Sequence, residues 1–161
     1  MITYKDIKKA INTLLKSKFK IEINSNDVKE GFNRPSFFVS FDDVKRSSSQ
    51  EQVEKSFTIR IYYFPTDRLD YSLELLDIQE KLENIFDLKL KVIDRKLNIN
   101  ESNSIVTDGV LEFSFDIEFQ YGKEISLDSD YVDSEGNPIV DENGKPIEVE
   151  LMKTLELERV K

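Results

Sequence analysis

Apolar positions in this chain change period several times, and each change marks an element. Over residues 3–17, Ile7, Ala10, Ile11, Leu14 and Leu15 fall at the i, i+3, i+4, i+7, i+8 spacing of one buried helix stripe. Thr3 with Asp6 three residues on is the pattern of a capping box at its start. A short alternating piece follows (Phe19, Ile21, Ile23), then the turn chemistry of Gly31-Phe32-Asn33-Arg34-Pro35. Alternation returns in Ser36–Val44, with Phe37, Val39 and Phe41 on one face, and in Val53–Phe64, with Val53, Phe57, Ile59, Ile61 and Tyr63. The polar stretch Lys45–Glu51 between them predicts a long hairpin with a mobile tip, and Pro65 stops the second strand.

A second helix is predicted over about 68–86, capped by Asp67 with Asp70 in its first turn. Tyr71, Leu75, Ile78, Leu82, Ile85 and Phe86 cluster on one face, and Leu69, Leu73 and Leu76 lie nearly opposite. One face packs on the sheet. The other needs a cover, either the first helix or a neighbouring subunit, and packing within the chain is the simpler expectation. Leu88–Ile99 reads as one strand whose apolar parity changes midway, which a bulge near Asp94 reconciles. After the loop Glu101–Ser104 comes the longest alternation: Leu111, Phe113, Phe115, Ile117, Phe119 and Tyr121 against Glu112, Ser114, Asp116, Glu118 and Gln120.

From about residue 122 the composition shifts. Asp133–Val140 and Asp141–Glu148 resemble each other, each with a Gly-centred turn followed by Pro-Ile. Their acidic residues lack the ligand spacing of a helix–loop–helix calcium site, so they read as turns of a hairpin. The fold expected is therefore α+β: a mostly antiparallel sheet packed by two helices in the order α-β-β-β-α-β-β over residues 1–122, with a β-rich acidic C-terminal arm over 123–161.

Charge sharpens this picture. The 161 residues carry a formal net charge of -9, but not evenly. Residues 1–65 hold 12 basic and 8 acidic side chains, and residues 108–161 hold 5 and 15, so the acidic surplus sits in the last third. The first 20 residues are basic. Two readings follow: solvated surface, or head-to-tail attraction between identical subunits. An acidic chain of this kind is not built to neutralise nucleic-acid phosphates. No apolar run reaches the roughly 18 residues a membrane span needs, and the N-terminus has no secretory h-region, so an intracellular protein is expected.

Candidate chemistry is thin. The chain has no Cys and no His, which removes disulfides, thiolate nucleophiles, the usual zinc sites and His-based acid–base schemes. Asp42-Asp43-x-Lys45 resembles part of a magnesium-dependent nuclease site, but neighbours on a strand point to opposite faces and no third ligand has a recognisable spacing. Glu112, Asp116 and Glu118 share a face, where a cation or pairing with a neighbouring strand's Lys and Arg are the alternatives. No glycine-rich phosphate loop is present. The expectation is a protein with no catalytic, metal or cofactor site.

The order of elements, together with the apolar hairpin Arg34-Pro35-Ser36-Phe37-Phe38-Val39 and Phe57-Thr58-Ile59-Arg60-Ile61-Tyr62-Tyr63-Phe64-Pro65 and the opening Ile2-Thr3-Tyr4-Lys5-Asp6-Ile7, resembles the tail terminator (tail completion) proteins of long-tailed bacteriophages. The small form found in prophages and tail-like particles of low-GC Gram-positive bacteria is the nearest type. The resemblance covers about residues 1–122. It implies a non-enzymatic subunit, without cofactor, that forms a homo-hexameric ring on the last ring of the tail tube. That ring stops tube polymerisation and meets head or neck connector proteins, and in contractile tails the sheath. DNA merely passes through the lumen, no membrane is involved, and the protein resides in the virion or tail-like particle assembled in the host cytoplasm.

Candidate interface residues are the hairpin tip (Arg46, Ser48, Gln50), Arg60, the second face of the second helix (Leu69, Leu73, Leu76) and the acidic strand face (Glu112, Asp116, Glu118). The acidic face or arm is expected to line the lumen. A rival reading from another class is a monomeric acidic module that blocks a protein partner.

Overall fold

The computed structural model describes residues 1–24, 33–49 and 51–123. The expected turn at Gly31-Phe32, the candidate Gln50, and the acidic arm with its paired turns, from residue 124 onward, lie outside the described residues.

Helix α1 spans Tyr4–Phe19. Its capping box forms as expected: Thr3 Oγ1 accepts from the Asp6 amide at 3.2 Å, and Asp6 Oδ2 accepts from the Thr3 amide at 3.0 Å. Ile7, Ile11 and Leu15 are fully buried, while Ala10 and Leu14 sit at the margin of the stripe. Lys20, in the left-handed conformation at φ 54°, ends the helix.

Strands β1 (Glu22–Asn24), β2 (Ser36–Ser48) and β3 (Gln52–Phe64) follow. The β2–β3 hairpin is longer than expected. The backbone ladder continues through Lys45, Arg46, Ser47 and Ser48 to a tight closure, where the Ser49 amide donates to Gln52 O at 2.9 Å. A ladder needs backbone groups rather than apolar side chains, so a polar sequence does not end it. The tip is also tied from outside, because the Lys123 amide donates to Glu51 O at 2.7 Å and its ammonium donates to Ser49 O. The expected mobile loop is strand through Ser48.

Helix α2 spans Ser72–Ile85, four residues shorter at its start than predicted. Asp67 does not cap it. Its carboxylate accepts from the Leu69 amide at 2.8 Å and so closes a local turn ahead of the helix. Strands β4 (Lys89–Val92) and β5 (Arg95–Asn98) form a separate hairpin turning at Ile93-Asp94, with Ile93 at φ 55°. The parity change near Asp94 is therefore a turn rather than a bulge in one strand. Strand β6 (Ser102–Thr107) was expected as loop in its first half, and it pairs with β7 (Val110–Gly122). The link is Asp108-Gly109, both left-handed at φ 52° and 73°, as a two-residue hairpin turn of the I′ type requires.

The class is α+β as expected. Five strands form one sheet in the order β1-β2-β3-β7-β6, antiparallel throughout except for the β1–β2 pair. One face carries Phe37 and Val39 of β2, Phe57, Ile59, Ile61 and Tyr63 of β3, and Leu111 through Phe119 of β7 at alternate positions. Both helices and the β4–β5 hairpin cover it. Each of these side chains contributes about 1.5–3 kcal/mol by leaving water. Phe86 at the end of α2 stacks on Phe115 at 5.1 Å and 29°, which clamps that helix to β7. The opposite face of the sheet has no such layer among the described residues.

Candidate interaction surfaces

Two surfaces stand out, one on each side of the molecule. The first is the open face of the sheet. Register places Ser40 and Asp42 of β2, Glu54, Thr58, Arg60 and Tyr62 of β3, and Glu112, Ser114, Asp116 and Glu118 of β7 on it. Arg60 is its electrostatic centre. Its guanidinium donates to Asp42 Oδ2 from Nε at 2.9 Å and bonds Glu112 Oε1 through a second nitrogen, with Asp43 at 4.0 Å. Asp42 and Asp43 were expected to point apart. A break in register between Asp42 and Lys45, with Asp43 at φ 51°, bends the strand so that both carboxylates approach the same cation.

Thr58 donates to Asp116 Oδ1 at 2.6 Å. Further along β3, a hydrogen bond shared with Glu118 raises the Glu54 carboxyl above its usual range, and like-charge repulsion adds to this. Burial, then the neighbouring Glu112 and Asp42 carboxylates, push the Tyr62 phenol up. Of the expected sites, then, Arg60, Glu112, Asp116 and Glu118 do share one face. Their partners on it are a guanidinium, a hydroxyl and a second carboxyl. The three carboxylates around Arg60 meet a guanidinium, and among the described residues no group of three acidic side chains is placed to hold a metal ion.

The second surface is a leucine ridge on the helical side. Leu69 is 93% exposed, Leu73 80% and Leu76 59%. Leu75, Ile78 and Leu82, on the other side of α2, enter the core. The expectation that the chain would cover both faces of this helix is therefore overturned. Helix α1 packs against β1 and β4 and leaves the second stripe bare. The ridge is nevertheless held firmly from below. Glu74 Oε1 accepts from the Tyr63 hydroxyl at 2.6 Å, the Thr66 amide at 2.9 Å and the Thr66 hydroxyl at 3.1 Å. Burial and the bond to Glu74 push the Tyr63 phenol well above its ordinary value, so it stays a neutral donor. Three bonds on one carboxylate oxygen thus pin the turn at 66–71 to the first turn of α2.

Arg46 and Ser48 stand apart from both surfaces. They pair with Lys55 and Val53, on the opposite side of the hairpin from Arg60. The sequence reading missed Asp43 and Glu54 as members of the open face. It also missed the half-exposed Ile105 and Val106 on edge strand β6. The Asp108-Gly109 pair between two alternating stretches was the available signal for that strand.

A sequence model of the family described as phage tail terminator protein matches residues 6–128. No curated protein matches the chain. Among the described residues the matched segment contains both helices from Asp6 onward and all the strands, so the two surfaces belong to the part of the chain that the family comprises.

Proposed function

The chain belongs to the phage tail terminator family, and from that premise we propose that it caps the tail tube as a ring, ending tube polymerisation and joining the tail to head or neck proteins. Membership of the family gives it a structural role in tail completion, as a component that meets other tail proteins. No helix among the described residues is long and apolar enough to cross a membrane.

The observation that carries the ring reading is the leucine ridge. Three leucines projecting from a rigidly tethered helix start, without cover from their own subunit, are what a subunit interface needs and a free monomer does not. A hexamer, as in the resemblance above, is the stoichiometry we assign. The open sheet face supports a second element of the proposal. Its carboxylates Asp42, Asp43, Glu54, Glu112, Asp116 and Glu118 outnumber Arg60, Lys45 and the Arg95 and Lys96 that border it, and a surface of that net sign in the lumen repels passing DNA instead of binding it. Neck and sheath contacts complete the proposal.

The test is tail assembly with and without this protein, viewed by negative-stain microscopy. Tubes of uncontrolled length in its absence are expected. Tubes of normal length would refute the terminator reading, and a strictly monomeric protein on and off tails would favour the monomeric acidic module. A ring structure with the open-face carboxylates on its outer wall would refute the lumen assignment.

A further inference from the structure

Edge strand β6 (Ser102–Thr107) is unlike the rest of the sheet. Every other described strand carries a charged side chain, and β6, Ser-Asn-Ser-Ile-Val-Thr, carries none. It has no proline, and its register with β7 runs from Ser102 to Thr107 without a bulge. Edges are ordinarily kept from pairing by such devices or by a covering layer. Here Ile105 is 49% exposed on the open face, opposite Glu112, and Val106 50% exposed on the helical face, opposite Leu111. Register also decides which backbone groups are left over. The two-residue turn at Asp108-Gly109 makes Thr107 and Val110 a mutually hydrogen-bonded pair, so by alternation Ile105 and Asn103 also bond β7. The N–H and C=O groups of Ser102, Ser104 and Val106 point the other way, and among the described residues no strand receives them.

We propose that the outer edge of β6 pairs antiparallel with β6 of a second copy, about a two-fold axis at Ser104. A second copy is the occupant because its own edge satisfies every outward group at once. Ser104 faces its equivalent, and Ser102 faces Val106 of the second copy, so each outward N–H meets an outward C=O. The charges fit the same register. Two chains of net charge -9 approach where neither is charged. The flanking acids meet neutral residues, Glu101 opposite Thr107 and Asp108 opposite Asn100. The Ile105 side chains of the two copies become diagonal neighbours on the open face. The other edge of the sheet, β1 (Glu22–Asn24), offers three residues and a carboxylate, and matches only part of β6. Contact between like patches is isologous and closes at two copies, so it is independent of the ring reading above.

The chain has no cysteine, so cross-linking reads the register directly. In the proposed pairing Asn103 lies opposite Ile105 of the second copy at a site without backbone hydrogen bonds. Cα atoms there are about 4.5 Å apart, within reach of a disulfide. Asn103→Cys and Ile105→Cys are both at exposed positions, so each is expected to keep the denaturation midpoint of the parent. The full-length parent is expected to run as a concentration-dependent dimer in light scattering. The two variants, mixed at such concentrations and oxidised, are expected to give the N103C–I105C disulfide in several-fold excess over either self-linked product. Ser104→Pro removes an outward N–H and no bond to β7, so it is expected to fold and to run as a monomer. Ser104→Lys sets two ammonium groups against each other across the axis, and is expected to weaken the dimer several-fold at low salt.

A parent chain that does not self-associate, a self-associating one that gives no mixed cross-link, or self-linking of N103C or I105C in preference to the mixed product would each overturn the pairing. So would a folded Ser104→Pro chain as dimeric as the parent. A Glu22→Cys variant that links to I105C in preference to N103C would overturn it too, because the edge would then belong to β1 of a neighbouring copy. If Ser104→Pro does not fold, Ser104→Lys and the cross-links decide.

Discussion

Replacing Gly109 by Ala tests how the start of α2, and with it the leucine ridge, is held against the sheet. Gly109 sits at φ 73°, where an L residue pays about 1–2 kcal/mol. A Cβ there lies 2.9 Å from Tyr71 Cε1, 3.1 Å from Cζ and 3.3 Å from Cδ1. Ordinary carbon contacts start near 3.5 Å, so the ring must move, at an overpacking cost of about 1–3 kcal/mol. The two contributions together come to about 2–5 kcal/mol, which lowers a urea midpoint by about 1 M or more. They are separable. In a Tyr71→Ala background the steric part vanishes and the backbone part remains, so a double-mutant cycle is expected to show coupling of about 1–3 kcal/mol. Tyr71 is also the residue that opens α2, two positions before Leu73. Gly109→Ala is therefore expected to weaken self-assembly as well as stability. A cost below about 0.5 kcal/mol would refute the left-handed turn. Equal costs in the two backgrounds would refute the contact between ring and turn.

Three further outcomes follow from the same contacts. Leu82→Ala, at a fully buried position, is expected to destabilise the fold by about 2–5 kcal/mol in denaturant titration; a cost below 1 kcal/mol would show that α2 is not packed on the core as described. Arg60→Gln leaves Asp42, Asp43 and Glu112 without their shared cation, for a loss of about 1–2 kcal/mol at low salt. That loss is expected to shrink in 1 M salt as repulsion is screened to roughly 3 Å, and a salt-independent loss would count against it. The Glu54 carboxyl has a raised pKa in the folded chain, so the folded state holds that proton more tightly than the unfolded one. Its contribution to stability is full below the unfolded carboxyl pKa and is lost as pH rises through the folded value. Glu118→Gln is expected to flatten the stability–pH profile across that window, and an unchanged slope would exclude the shared proton.

The periodicities carried most of the fold. Ile7, Ile11 and Leu15 are buried because helical spacing leaves one stripe for the core, and Leu111 to Phe119 because a pleat alternates its faces. Both are local geometric facts, readable from residue order, as was the capping box at Thr3 and Asp6. Composition by itself excludes thiol and imidazole chemistry, and the diffuse resemblance to tail terminators points to the family that the chain belongs to.

What residue order left undecided depended on which backbone groups find partners at a distance. The stretch Lys45–Ser48 looked like loop by its polarity and is strand because β3 lies alongside it. Asp42 and Asp43 converge on Arg60 because a register break bends β2, and no periodicity encodes a bend. Most consequential are Leu69, Leu73 and Leu76. The sequence placed them opposite the core stripe of α2, and equally well allowed α1 to cover them. Tertiary packing decided otherwise: the helices lie over the same sheet face with a groove between their ends, and the second stripe of α2 stays in water. Hydrophobic pattern specifies how many faces need burial, whereas the arrangement of the layers decides which of them the chain buries by itself and which it leaves for another.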